Sequence, residues 1–485
     1  MGGANPLSIA RAAAEAQDRV ALIADDDGAS YSFGELAERA GRLAGQLRAG
    51  VESRVDGLDG MEAPRVAIVA GARVDTVVAV LACWEQGWIP ALIHPRLADK
   101  ERRRLVAEVE PAAVLDEHFA VAGEPAVARP VDRGPSAIAA LVHTSGTAGA
   151  ARGVLLPRSA FEASARASEA NLGWRDDDRW LVAMPLAHVG GLSVLARALI
   201  ARRTVVLARV QVTAPDRLIE VVARHRVTLA SLVPTQLRRV FDAEPGYRPP
   251  AHLRAVLLGG AASSPALLAE AAERGWPVLA TYGLTEACSQ VATQSYGTRP
   301  GAEQGCGPPL AGVRVRIAGG EVQVAGPTLM TGYFARGAPP IEPFVDGGWF
   351  PTGDLGELDG AGRLHIRGRR KELIVTGGEN VHPLEVEQGL EACPEVAAAC
   401  AFGVADPLWG EIVAAAVVAR DPAIGDAELR TRVDQHARAA LAPHQRPRRL
   451  ARVRELATTA SGKLDRRATV EQAGPLLEPA ATRRP

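Results

Sequence analysis

Apolar positions along the chain follow two periods, and the change from one to the other divides it. Over residues 31–50, Leu36, Ala40, Leu43 and Leu47 recur at helical spacing behind Ser32, a residue suited to an N-cap, which predicts a helix. "RVAIVA" (65–70) predicts a buried strand, "DTVVAVLACWEQG" the helix after it, and "IPALIHP" (89–95) the next strand. The alternation continues through 102–116, 194–208 and 216–233, then "RAVLLGG", a helix over 264–274 and "PVLATYG". Repeated strand–helix units call for mostly parallel sheets covered by helices. In such folds ligands lie beyond the carboxyl ends of strands, where Gly259-Gly260 and Gly283 fall.

Near residue 310 the period becomes two. "VRVRIAGGEVQVAG" alternates about a Gly-Gly turn and "GELDGAGRLHIRG" about an Asp-Gly-Ala-Gly turn, each predicting an antiparallel hairpin. A charged cluster, Arg369-Arg370-Lys371-Glu372, precedes a smaller βα segment reaching to about residue 470. The last stretch, "EQAGPLLEPAATRRP" (471–485), is rich in Ala, Pro and Arg and is expected to fray.

Bulk properties narrow the class. A chain of 485 residues exceeds one hydrophobic core, so two or more domains are expected. A net charge of -1 gives no general reason to bind nucleic acid or an anionic membrane. Cys83, Cys288, Cys306, Cys393 and Cys400 are scattered without a C-x-x-C pair, which argues for reduced thiols rather than disulfides or a metal site. The first residues lack the pattern of a secretory signal, and Pro6 occupies the position where myristoylation needs Ser or Thr. No apolar run reaches membrane-spanning length, so a cytoplasmic protein is expected.

Four stretches carry candidate chemistry. "HTSGTAGAARGVLLP" (143–157) sets a Gly/Ser/Thr loop with one cation between two apolar strands, which can wrap backbone N–H groups around phosphate. It lacks the spacing of a Walker A loop, and on these residues alone a flexible surface hairpin accounts for it equally well. In "ATYGLTEACSQ" (280–290), Thr285 offers a hydroxyl to phosphate and Glu286 a hard oxygen suited to Mg2+. "PTGDLGELD" (351–359) places Asp354 in a Gly-flanked turn where a carboxylate can accept two ribose hydroxyls. "TTASGKLDRR" (458–467) sets Lys463 after a Ser-Gly turn, where a lysine on its own is ordinarily solvated surface.

The kinds, order and spacing of these stretches resemble the adenylate-forming superfamily of acyl-CoA synthetases, adenylation domains and luciferases. The likeness runs from "SYSFGELAERA" (30–40) to "SGKLDRR", through "TSGTAGAARGV", "YGLTE", "GPTLMTGYF" and "WFPTGDLGELDGAGRLHIRGRRKELIVTGGENVHPLEVE". It implies an α/β fold with a large N-terminal domain of βα-layered sheets over 1–368, including a β-hairpin-rich subdomain at 310–368. A hinge at 369–372 then leads to a small mobile α+β C-terminal domain at 373–470.

The implied reaction joins a carboxylate to the α-phosphorus of MgATP and then passes the acyl group to a thiol, commonly CoA. By resemblance, Thr144, Ser145, Gly146, Thr147 and Gly149 hold the β- and γ-phosphates, with Arg152 supplying the charge. Arg152 stands where the family has lysine, Ala148 replaces a threonine and Ala151 a proline. Gly259, Gly260, Tyr282 and Gly283 belong to the nucleotide cleft, with Tyr282 on adenine; Asp354 and Arg369 bind ribose. Glu286, beside Thr285, ligates Mg2+, while Lys463 bridges the carboxylate and α-phosphate. Lys371 is the hinge, and Gly377-Gly378 line the pantetheine tunnel; basic residues in "PHQRPRRLARVRE" (443–455) can meet CoA phosphates.

Residues 184–207, 231–241 and 257–293 are most similar to the o-succinylbenzoate–CoA ligases of menaquinone synthesis. The absence of an acid from "PLAHVGG" argues against an amino acid substrate. In that family His188 lines the acyl pocket and Arg197 stands where an arginine meets the second carboxylate of the substrate; a solvated helix arginine is the other reading of Arg197. Ala261 is a further substrate-pocket position, and Gly190 replaces a serine that helps bind substrate. A ligase for another aryl or medium-chain acid, an enzyme loading a carrier protein, and a homodimer all stay open.

Overall fold

The computed structural model describes residues 5–55, 63–121, 130–144, 151–208, 215–459 and 463–479. Among these residues the strands form four sheets. In the first, Val278–Leu284, Ala255–Leu258, Leu229–Leu232, Arg179–Val182, Thr204–Leu207 and Val20–Ala24 run parallel. In the second, Ile138–Thr144, Ile89–Ile93, Arg65–Val69 and Ala113–Leu115 do the same. The edges depart from the parallel pattern: Ser289–Thr293, Ser30–Ser32, Arg152–Pro157 and Gly332–Tyr333 pair antiparallel. Short connections such as the one from Thr144 to Arg152 allow only that direction, since a parallel return needs a crossover of about a dozen residues.

Apolar patterning explains the layering. Arg65–Val69 and Ile89–Ile93 are buried at every residue, as strands covered on both faces must be. Helix Val74–Gln86 is buried continuously from Thr76, and helix Val189–Ala201 nearly so. Both share one core with Leu22 and Val182 of the first sheet and Val66, Ile68 and Leu92 of the second, so neither has a solvent face. The helix expected over 31–50 spans Phe33–Val55. Ser32 Oγ accepts from Glu35 N–H (3.1 Å) while Glu35 Oε2 accepts from Ser32 N–H (2.7 Å), a reciprocal cap.

Both expected hairpins form. Arg314–Ala318 and Glu321–Ala325 turn at Gly319 and Gly320, whose φ of +56° and +79° suit glycine in a tight hairpin. Phe350–Leu358 pairs with Leu364–Arg369 and carries Asp354 opposite Arg369. The last sheet centres on Val396–Asp406 and Gly410–Ala419, with Arg449–Val453 parallel beside them. Helices Pro383–Glu391 and Asp426–Ala440 share its core. The expected fraying from residue 471 is corrected as far as 479: Glu478–Pro479 pairs with Leu450 and Arg449, and Leu477 packs on the apolar cluster around Phe402. Backbone pairing and one partly buried leucine outweigh the Pro- and Ala-rich composition there.

Candidate active site

Strand ends assemble the site. Gly259 follows the strand Ala255–Leu258; a Cβ on it would lie 2.6 Å from Thr281 Cγ2, so the two strand ends approach as only glycine allows. Gly260, at φ +80°, faces the Lys463 side chain, whose Cε would be 3.0 Å from an added Cβ. Gly283 passes so near the Ser289 carbonyl that a side chain has no room. Ala261 is exposed at the rim. Ser145, Gly146, Thr147, Ala148 and Gly149 lie outside the described residues, but both ends of their loop are in place. Thr144 pairs with Arg152, and Thr144 Oγ1 donates to the Arg152 carbonyl at 3.4 Å.

Three expected nucleotide residues meet in one cluster. Tyr282 O–H donates to Asp354 Oδ2 at 2.6 Å, and Arg369 Nε lies 3.0 Å from Asp354 Oδ1. Burial raises the Asp354 carboxyl above its ordinary range, against the pull of Arg369 and Tyr282. Burial and then Asp354 push the Tyr282 phenol well up, so it remains a donor. Each carboxylate oxygen keeps further acceptor capacity, which suits hydroxyl groups of a ligand.

Glu286 stands beside this cluster. Its Oε1 accepts from Tyr333 O–H at 2.9 Å, and its backbone carbonyl accepts from Met330 N–H at 2.8 Å. Thr285 opens the single 3-10 turn that carries it. The described residues contain no group of three His, Cys, Asp or Glu able to hold a metal. One carboxylate near a hydroxyl fits Mg2+, which keeps several waters and takes phosphate oxygens, and does not fit a closed metal centre.

Lys463 belongs to the same neighbourhood. It keeps solvent contact, yet the surrounding protein and then Arg369 hold its ammonium below the ordinary lysine range, with Asp354 and Glu286 pulling the other way. Its charge also reaches His188. His188 stands at the N-cap of helix Val189–Ala201, its ring centroid 5.1 Å from that of His94 with the planes tilted at 45°; His94 follows strand Ile89–Ile93. Burial, His94 and Lys463 lower His188 to about 3; burial and Arg96 lower His94 to about 4. Both rings are therefore neutral at pH 7. Nδ1 of His94 accepts from Arg96 N–H at 3.0 Å, so its proton is on Nε2; neither Nε2 has a protein partner.

Arg197 is not a solvated helix arginine. It is 2% exposed, donates from Nη2 to Ser164 Oγ at 3.1 Å, and lies 5.7 Å from the Trp180 ring centroid. Its Nε has no partner, and among the described residues no carboxylate pairs with it. Burial lowers it to about 10, which still leaves it charged at neutral pH. On the same helix, a Cβ at Gly190 would lie 2.5 Å from Met184 Cε; the methionine tip fills the room a serine would use.

Of the remaining expected residues, Lys371 stays within charge reach of Arg369, Arg152 and Asp354, whereas Gly377 and Gly378 turn a separate hairpin. Lys371 sits in the turn Arg370–Glu372 between Leu364–Arg369 and Ile374–Thr376, and burial followed by Arg369 lowers its ammonium. Gly377 and Gly378 turn the hairpin Ile374–Thr376/Glu379–Val381 at φ +59° and +86°, with Gly377 against Trp409 rather than Lys463. The Arg448 guanidinium lies 4.1 Å from the Trp409 ring centroid. His94, Tyr333 and Arg466 were absent from the sequence-based set. The carboxyl end of a strand was the available signal for His94; Tyr333 and Arg466 lay inside quoted motifs but carried no chemistry of their own.

Residues 9–334 match the family model for AMP-binding enzyme, and residues 385–463 that for AMP-binding enzyme C-terminal domain. The chain is 34% identical to a 2-succinylbenzoate–CoA ligase of Bacillus pumilus, over 93% of this chain and 94% of the relative. It is also similar to o-succinylbenzoate CoA synthetase from Bacillus subtilis in complex with its acyl-adenylate intermediate OSB-AMP, at 32% identity and a TM-score of 0.83, covering 96% of this chain and 98% of the other. Against a double mutant of that enzyme bound with its product analogue OSB-NCoA the TM-score is 0.68, at 32% identity and 97% and 98% coverage.

Proposed function

We propose, on the premise that this chain belongs to the AMP-binding enzyme family, that it converts o-succinylbenzoate to o-succinylbenzoyl-CoA for menaquinone biosynthesis. The chain is an AMP-forming acid–thiol ligase that uses ATP, Mg2+ and CoA. The observation that carries the choice of acid is Arg197. A guanidinium sealed from water without a counter-charge is costly, and a ligand carboxylate supplies what the protein omits. An aromatic acid with two carboxylates offers one to Arg197 and one for activation.

In the first half-reaction a carboxylate oxygen attacks the α-phosphorus, the bond to the bridging β-phosphate oxygen breaks, and pyrophosphate leaves. Thr144 and Arg152 hold the β- and γ-phosphate end, with the loop 145–149 between them. Tyr282 faces adenine, while Asp354 and Arg369 hold ribose in the cleft of Gly259, Gly260 and Gly283. Glu286, with Thr285, holds Mg2+, which neutralises phosphate charge when bound. Lys463, whose ammonium burial and Arg369 hold below the ordinary lysine range, stabilises negative charge where carboxylate and α-phosphate meet. Neutral His188 and His94 wall the acyl pocket beside Gly190 and Ala261.

In the second half-reaction the CoA sulfur attacks the acyl carbonyl and AMP departs. The C-terminal part, 373–470, turns about Lys371 so that Gly377-Gly378 replace Lys463 at the cleft. Trp409, Arg448 and the basic stretch 443–455 then face the nucleotide end of CoA. The orientation seen here, with Lys463 at Gly260, suits the first half-reaction, in line with the greater likeness to the acyl-adenylate complex.

The test is pyrophosphate release from MgATP over o-succinylbenzoate, benzoate, a cinnamate, a medium-chain fatty acid and several amino acids, each with and without CoA. A CoA-dependent preference for o-succinylbenzoate is expected. Preference for a monocarboxylate removes the substrate assignment and keeps the ligase. Stalling at one adenylate per enzyme with CoA present points to a carrier protein as acceptor.

A further inference from the structure

Resting on the nucleotide reading above, we propose that Tyr333 is a positioning residue that holds the Glu286 carboxylate and the Arg152 guanidinium in fixed relation through two parts of one ring. The hydroxyl donates to Glu286 Oε1 at 2.9 Å, and the ring lies under Arg152, whose Cζ is 4.2 Å from its centroid. Tyr333 is 5% exposed, so Glu286 satisfies a hydroxyl that has little access to water.

The backbone makes the relation rigid. Tyr333 pairs with Val154, and Thr331 N–H and Phe334 N–H donate to Leu155 and Gly153 carbonyls at 2.9 and 2.7 Å. These bonds fix the segment to the return strand of the phosphate loop, two residues from Arg152. At its other end Met330 N–H donates to the Glu286 carbonyl at 2.8 Å. The segment thus joins the phosphate loop to the turn bearing Glu286, and Tyr333 repeats that link with side chains. Its hydroxyl fixes one oxygen of Glu286 and leaves the other as the acceptor a metal needs. Its face suits the flat guanidinium of Arg152 better than it would an ammonium.

A residue that only filled space would lose stability when changed but would not separate the two functions. Tyr333→Phe removes the hydroxyl and keeps the face; Arg152→Lys keeps the charge and loses the flat stack. Calorimetric binding of a non-hydrolysable ATP analogue, with EDTA and over a Mg2+ titration, reads each part without turnover. Tyr333→Phe is expected to raise the half-saturating Mg2+ about tenfold while binding in EDTA stays at the wild-type value. Arg152→Lys is expected to weaken binding in EDTA by roughly two- to fivefold, and to add nothing further in a Tyr333→Leu background. Unchanged Mg2+ dependence in folded Tyr333→Phe overturns the proposal. If Tyr333→Phe does not fold, an equal Arg152→Lys effect with and without the ring overturns it. A wild-type protein that binds no ATP analogue with Mg2+ instead defeats the nucleotide reading itself.

Discussion

Arg197 shows what one residue can tell about a ligand. Replacing a buried unpaired charge by an apolar group of similar length is neutral or stabilising for the fold, whereas removing the partner of a bound carboxylate costs binding. Arg197→Met is therefore expected to leave the thermal midpoint unchanged or higher, and to raise KM for o-succinylbenzoate roughly a hundredfold with little effect on a monocarboxylate. Melting curves and steady-state kinetics check both; a lower midpoint with unaltered preference would make Arg197 structural. The histidines give a second residue-scale expectation. His94, His143 and His188 are lowered from 6.5 to about 4, about 4 and about 3, each mainly by burial. The unfolded chain then binds more protons than the folded one between about pH 6.5 and 4, so stability falls as pH drops through that window. Each histidine contributes a slope of up to about 1.4 kcal/mol per pH unit. Urea midpoints at pH 7 and 5 measure it, and His188→Asn should flatten the dependence. The sequence located Arg197 and His188 through their motif, but burial depends on what covers a helix, which one chain segment does not reveal. Tyr333 was hidden for a similar reason: its partners, Glu286 and Arg152, are distant in sequence.

The Lys463 segment is held as an element rather than as a lone side chain. Thr458 and Leu464 form a bridge, and Asp465 caps helix Arg466–Ala473 by accepting from Ala468 N–H at 3.0 Å. Arg466 then donates to Glu387, to the Ala401 carbonyl at 2.5 Å and to Glu372 at 3.3 Å, tying the segment to helix Pro383–Glu391 and to the turn Arg370–Glu372. Glu387 is buried, so Arg466→Ala leaves a carboxylate uncompensated and is expected to cost roughly 3–5 kcal/mol. Arg466→Ala with Glu387→Leu should cost less than Arg466→Ala alone; a strictly additive pair of denaturant midpoints would contradict the clamp. Lys463→Ala, by contrast, is expected to abolish pyrophosphate release while sparing transfer from supplied acyl-adenylate. Alternation of strands and helices was legible at this scale because its periods differ, and both glycine-turned hairpins with it. The pairing of Glu478–Pro479 was not, since two residues on a sheet edge have no period.

At the scale of the whole molecule the question is how one cleft serves two half-reactions. Lys463 occupies the face of Gly260, while Gly377 packs on Trp409, and the proposed exchange brings each of them to the cleft in turn. Order along the chain made both features readable; which of them faces the cleft depends on tertiary packing, and the rotation proposed to exchange them leaves no trace in local sequence. The turn Arg370–Glu372 is the short connection about which the proposed exchange would turn, and Lys371 in it is near enough to Arg369 for their charges to interact. Lys371→Ala alters the turn without touching the reacting groups. It should leave pyrophosphate release within about threefold of wild type and slow acyl transfer at least about tenfold, because only transfer requires the second orientation. Single-turnover experiments with o-succinylbenzoate separate the steps: a pyrophosphate burst first, thioester formation after CoA is added. Equal losses in both would place Lys371 in the chemistry of adenylation. A selective loss in transfer would make the hinge, rather than the acyl pocket, the part of the molecule that sets turnover.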